Sequence, residues 1–151
     1  MDAATDTTVY ERTLAIEASP ETVWEFLIDP EKLMRWKGIN ADLDTQPGGI
    51  FRCEVIPGHI ARGEYVEIDK PNKLVFTWGW DGSEDVPPGS STIEIELEPS
   101  GAGTTLRFRH YGLPGAEAAR SHAHGWDHYL ARLVVAGGGG DPGEDRGPEG
   151  M

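Results

Sequence analysis

Residues 115–136 read GAEAARSHAHGWDHYLARLVVA, and within them Ala119, His122, Trp126, Tyr129, Leu130 and Leu133 recur at spacings of three and four. That spacing draws one apolar stripe along a helix, which Gly137 ends. A helix of about 20 residues reaches about 30 Å, enough to lie along a whole twisted sheet. So long a stripe needs an apolar partner of matching length, and the preceding residues supply it.

From residue 39 onward the hydrophobic period changes to two, punctuated by Gly, Pro, Asn and Ser at 47–49, 57–58, 70–72, 87–89 and 100–103. Strands are expected over 39–45, 50–56, 60–69, 73–80, 91–98 and 104–111, preceded by one in TVYERTLAIE (8–17). Parity turns one side of each strand inward: Tyr10, Arg12, Leu14 and Ile16; Phe51, Cys53 and Val55; Val66 and Ile68; Leu74, Phe76, Trp78 and Trp80; Ile93, Ile95 and Leu97; Leu106, Phe108 and His110. In TIEIEL (92–97) Glu94 and Glu96 alternate with isoleucines, so one sheet face is wet and the other lies under the helix. Between the first two strands, SPETVWEFLIDPEKLMRWKG (19–38) twice presents a capping residue followed by proline, at Ser19-Pro20 and Asp29-Pro30. Two short helices are expected there. The fold class is α+β: a curved antiparallel sheet of six to seven strands wrapped around a long C-terminal helix.

The 151 residues suit one domain with one sizeable core. It is expected over 8–136, after a flexible N-terminus at 1–7. Residues 137–151, GGGGDPGEDRGPEGM, hold almost nothing apolar to offset the entropy of ordering and are expected to be a disordered tail. The formal charge is −13, from 13 Lys plus Arg against 26 Asp plus Glu, which disfavours nucleic acid and anionic bilayers as partners. The single cysteine, Cys53, excludes an internal disulfide framework and fits a reducing, cytoplasmic location. MDAATDTTVYERT lacks the basic flank of a secretory signal, and no apolar run is long enough to span a membrane.

Three patterns carry a resemblance: SPETVWEFLIDPEKLMRWKG (19–38), GEYVEIDKPNKLVFTWGW (63–80) and GWDHYLARL (125–133). Together with the order of elements, they resemble the START-like (SRPBCC, helix-grip) superfamily, and within it the homologues of the activator of the heat-shock-protein-90 ATPase, over about residues 8–135. The resemblance implies a cavity between helix and sheet, used elsewhere in the superfamily for lipids, polyketides, hormones and other apolar molecules. The N-terminal domain with which the full co-chaperone holds its client has no counterpart in these residues. A chaperone partner therefore ranks behind a small apolar ligand.

Trp36, Phe51, Phe76, Trp78, Trp80, Phe108, His110, Trp126, Tyr129, Leu130 and Leu133 are the candidate cavity lining. Their aromatic surfaces suit a flat apolar ligand, set against plain core packing. His110 also serves as a candidate proton acceptor, with Arg12 and its available partner Glu64 as further polar candidates in the cavity. His124 and His128 stand four apart on the helix, but nothing in the sequence completes a ligand set, so no metal is expected. No phosphate loop or dinucleotide fingerprint occurs, and no cofactor is expected. The loop at 79–91 is long enough to cover a cavity mouth. Three readings compete: a non-enzymatic binder of a small hydrophobic or aromatic molecule; a polyketide cyclase, dehydratase or hydrolase using His110 or Arg12; and an interaction module that meets a chaperone or a second copy of the chain.

Overall fold

Ser19 Oγ accepts from the Thr22 N–H, and the Asp29 carboxylate accepts from the N–H groups of Glu31 and Lys32, so each cap–proline pair opens a helix as its chemistry dictates. The computed structural model describes residues 9–143. Its elements run β1 (Tyr10–Ile16), α1 (Pro20–Ile28), α2 (Pro30–Leu33), β2 (Asn40–Leu43), β3 (Ile50–Ile56), β4 (His59–Asp69), β5 (Lys73–Trp78), β6 (Ser91–Ser100), β7 (Gly103–Tyr111) and α3 (Ala116–Gly137). The expected N-terminal segment 1–7 and the tail beyond Gly143 lie outside the described residues.

The seven strands form one antiparallel sheet in the order β1-β7-β6-β5-β4-β3-β2. Strand β1 lies on the far edge from β2, beside β7, where Tyr10 faces His110 and Ile16 faces Thr104. The two short helices therefore carry the chain from one edge of the sheet to the other. α3 buries Trp126, Tyr129, Leu130 and Leu133 against the inner face of the sheet, where Phe51, Cys53, Leu74, Phe76, Ile93, Ile95, Leu106 and Phe108 are all buried. This is the helix-in-sheet arrangement that the two periodicities predict.

β4 departs from the expected parity. Val66 is 56% exposed and Tyr65 only 1%, the reverse of the reading in which Val66 faces inward. A register shift between Tyr65 and Glu67 explains it, since a β-bulge changes which residues face the core part-way along a strand. Upstream of the bulge the odd residues Ala61, Gly63 and Tyr65 face inward, which places Glu64 outside. Gly63 sits where β4 presses on β5, and a Cβ there would lie 1.9 Å from the Thr77 carbonyl oxygen. Gly63→Ala is expected to destabilise the fold by about 1–3 kcal/mol, the usual range for forced overpacking, as read from urea unfolding midpoints. Unchanged stability would mean that β4 and β5 separate there at no cost.

The C-terminal end of α3 extends to Gly137, and the segment that follows returns along it. Gly139 and Gly140 donate to the carbonyls of Ala136 and Val135, and Arg132 Nη1 donates to the Pro142 carbonyl at 3.2 Å. The stretch expected to be tail from residue 137 thus begins with one helical residue and a short return over the helix end.

Candidate functional site

The sheet and α3 do not close on each other along their whole length. Leu130 and Leu133 fill the space near the C-terminal end of the helix, with 1% and 0% exposure. Toward its N-terminal end a cleft of about 730 Å³ remains. Its walls are α3 from Glu117 to Tyr129, the β3–β4 turn at Gly58 to Ile60, and the β5–β6 loop from Trp80 to Val86.

Of the expected cavity residues, Trp78, Trp80, Trp126 and Tyr129 line this cleft. Trp36, Phe51, Phe76, Phe108, His110, Leu130 and Leu133 do not; they form packed core around it. The Phe51 and Phe76 rings stack with centroids 4.5 Å apart, and Phe108 meets Trp126 at the same distance. The physical reason is that parity tells which face a side chain takes but not how far α3 descends onto it. Trp78 contacts Trp126 at 5.2 Å and Trp80 at 5.3 Å, making one continuous indole surface.

The β5–β6 loop is anchored rather than free. Val86 is buried with Leu113 and Ala119 in a small separate cluster on which Trp80 packs. The Trp80 N–H donates to the Val86 carbonyl at 2.8 Å, and the Val86 N–H to Ser83 Oγ at 3.0 Å.

His110 is fully buried and committed to its neighbours. Trp126 Nε1–H donates to its Nδ1 at 3.1 Å, so its proton resides on Nε2 and is given to Ser91 Oγ at 2.8 Å. The Ser91 hydroxyl in turn donates to the Trp78 carbonyl at 2.8 Å. Burial, with smaller repulsion from His122 and Lys37, pushes the His110 pKa down to about 2 and keeps the ring neutral. His122 is held in the same way: its Nε2 accepts from Trp80 Nε1 at 2.9 Å, its Nδ1–H is directed at the Ala118 carbonyl, and burial lowers its pKa. Both imidazoles have both nitrogens occupied.

The expected Arg12–Glu64 pair does not form. Arg12 Nη1 bonds Asp127 Oδ1 on α3 at 2.7 Å, on a surface where the two side chains are 43% and 57% exposed, and Tyr10 donates to the same oxygen at 2.6 Å. Glu64 faces solvent on the outer side of β4. Neither residue reaches the cleft, because α3 offers Arg12 a nearer carboxylate and the β4 bulge reverses the side on which Glu64 falls. Among the described residues no group of three or more His, Cys, Asp or Glu is arranged to hold a metal ion.

The group that sequence reasoning missed is Lys37. It lines the cleft, is 2% exposed, and places its Nζ 4.5 Å from the Trp78 ring centre, 4.6 Å from Trp126, 5.5 Å from Phe51 and 5.7 Å from Trp36. Burial lowers its pKa to about 8, with a small opposing influence from Cys53, while burial pushes the Cys53 thiol up. Local chain geometry puts it there. The Lys37 N–H closes the last turn after α2 on the Leu33 carbonyl, and Gly38, at φ +92°, turns the chain into β2 against Cys53. The available signal was the run Arg35-Trp36-Lys37-Gly38: a cation beside a core tryptophan and directly before a turn glycine.

Comparison with known proteins gives a consistent picture. The profile of the family described as "Activator of Hsp90 ATPase homolog 1-like protein" matches residues 17–137. The chain is 44% identical to an AHSA1-like protein from Rhizobium etli solved by NMR, covering 91% of this chain and 86% of that one at a TM-score of 0.74. It is 26% identical to an HSP90 activator from Plasmodium falciparum, covering 85% and 95% at a TM-score of 0.72. The Aha1 dimer from Colwellia psychrerythraea, 18% identical over 87% and 98%, shares the fold at a TM-score of 0.75. No curated protein sequence matches the chain.

Proposed function

The chain belongs to the family of Activator of Hsp90 ATPase homolog 1-like proteins, and from that premise we propose that it binds a small aromatic or apolar molecule in the cleft beside α3, without catalysis, in the cytoplasm. The observation that carries this reading is the open space of about 730 Å³ between the sheet and α3, faced by Trp78, Trp80 and Trp126. A volume of that size takes a drug-sized molecule, and indole faces take flat ones. The cyclase, dehydratase or hydrolase reading has less support, since His110 already spends both nitrogens on Trp126 and Ser91, and Arg12 pairs with Asp127 on the surface outside the cleft.

Gly125 supplies the test. It lines the cleft from α3, and a Cβ added to it meets nothing within 4 Å. Gly125→Leu enters the cleft through an unobstructed Cβ, takes up part of its volume and improves helix propensity by up to about 1 kcal/mol. Protein purified from its own host is expected to carry a reproducible apolar adduct in native mass spectrometry, and the Gly125→Leu protein to lack it while melting no earlier. Bare wild-type protein, with no thermal shift across a panel of aromatic and acyl compounds, would sink the reading.

The likeness to the Plasmodium HSP90 activator favours a second reading, in which the domain associates with a chaperone. Stimulation of the host's Hsp90-type ATPase, undiminished in Gly125→Leu, would support that reading over the first.

A further inference from the structure

We propose, building on the cleft-binding reading, that the ligand is an aromatic acid whose ionised carboxylate or phenolate oxygen is held by Lys37 Nζ while its ring system lies on Trp78 and Trp126. The argument rests on what the cleft offers and has not used. The Lys37 ammonium reaches the cleft at 2% exposure, and four aromatic rings stand around it within 5.7 Å. Ring faces attract a cation but accept none of its three N–H bonds in the manner of an oxygen. Among the described residues no hydrogen bond or ion pair engages Lys37 Nζ, whose company is the four rings and the nearby Cys53 thiol.

The second unmet group is also a donor. Trp78 Nε1 is buried with no hydrogen-bond partner, on a side chain that faces both the cleft and Lys37. The two imidazoles nearby offer it no acceptor, because His110 Nδ1 is taken by Trp126 and His122 Nε2 by Trp80. The site is thus rich in donors, positively charged and walled by aromatic rings. Its complement is a flat molecule ending in an anionic oxygen, which turns an uncompensated buried charge into a paired one.

The mouth carries the opposite charge. Asp85 and Glu117 line it in exposed positions, and Asp81 is paired with Arg62 at 3.0 Å. Carboxylates in water are screened within about 10 Å at ordinary salt, so they slow the entry of an acid without cancelling the contact with Lys37 inside.

The experiment compares 2-naphthoate with its neutral isostere 2-naphthamide by calorimetric titration at pH 7, on the wild-type protein, Lys37→Met and Lys37→Arg. Naphthoate is expected to bind the wild type at least tenfold more tightly than the amide. Lys37→Met should abolish that preference while leaving naphthamide affinity within about twofold, and Lys37→Arg should retain part of it. Equal affinities in the wild type, or a preference that survives in Lys37→Met, overturn the proposal while the cleft-binding reading stands. If neither compound nor any member of the wider panel binds, that reading fails, and the inference falls with it.

Discussion

Lys37→Met is expected to be more stable than the wild type by about 2–3 kcal/mol at pH 7. The lysine has its pKa lowered from 10.5 to about 8 by burial. At about 1.4 kcal/mol per pKa unit, holding the charge inside costs about 3 kcal/mol, offset in part by the attraction between the ammonium and the surrounding ring faces, which methionine gives up. Methionine keeps the unbranched length that reaches between Trp78 and Trp126. The sign of the pH dependence is fixed. The folded-state pKa lies below the unfolded one, so between pH 8 and 10.5 the lysine is protonated more often in the unfolded chain than in the folded one, and the Lys37 contribution to wild-type stability rises through that window. Lys37→Met lacks that contribution, so its advantage should shrink toward pH 10, while the Cys53 thiol and Tyr65 phenol, both raised by burial, bend the curves of both proteins downward alike. Urea unfolding at pH 7, 8, 9 and 10 measures both. A variant less stable than the wild type at pH 7 would mean that the native ammonium is paired after all.

Acid should unfold this protein early. His110 has its pKa lowered to about 2, so from pH 6.5 downward the unfolded chain takes up a proton that the folded chain refuses. One such group removes about 1.4 kcal/mol per pH unit, or about 2–3 kcal/mol by pH 4.5, and His122, lowered for the same reason, adds to the slope. Protonation would also remove the lone pair that Trp126 Nε1–H uses and leave a buried donor unmet. His110→Gln has an amide that can accept from Trp126 and donate to Ser91, and it does not titrate. Its thermal melts are expected to lose less between pH 7 and 4.5 than those of the wild type. Parallel profiles for the two proteins would show that His110 is not the acid-sensitive group.

The fold was legible in the sequence wherever a local rule sufficed. Ser19-Pro20 and Asp29-Pro30 announce two helix starts, the alternation in TIEIEL declares a one-sided sheet, and the stripe from Ala119 to Leu133 needs the sheet beneath it. Val66 and Glu64 were misplaced because a bulge between Tyr65 and Glu67 arises from pairing with β5, which no local pattern reports. Lys37 was invisible for a similar reason. In its own segment it reads as a basic residue after a helix end, where cations commonly sit in water. Its burial comes from Phe51 on β3, Trp78 on β5 and Trp126 on α3, at positions scattered through the chain. The Arg12–Asp127 pair likewise joins residues 115 positions apart.

Three of the chain's five tryptophans, Trp78, Trp80 and Trp126, are linked by ring contacts of 5.2 and 5.3 Å. Indoles this close share their excited states, so light absorbed by one is emitted or quenched by the group, and their rigid asymmetric setting gives them a strong dichroic signal in the near ultraviolet. The walls of the cleft are therefore its own optical reporter: a molecule sliding between these rings changes the colour and intensity of the emission while the far-ultraviolet signal of the sheet and α3 stays still.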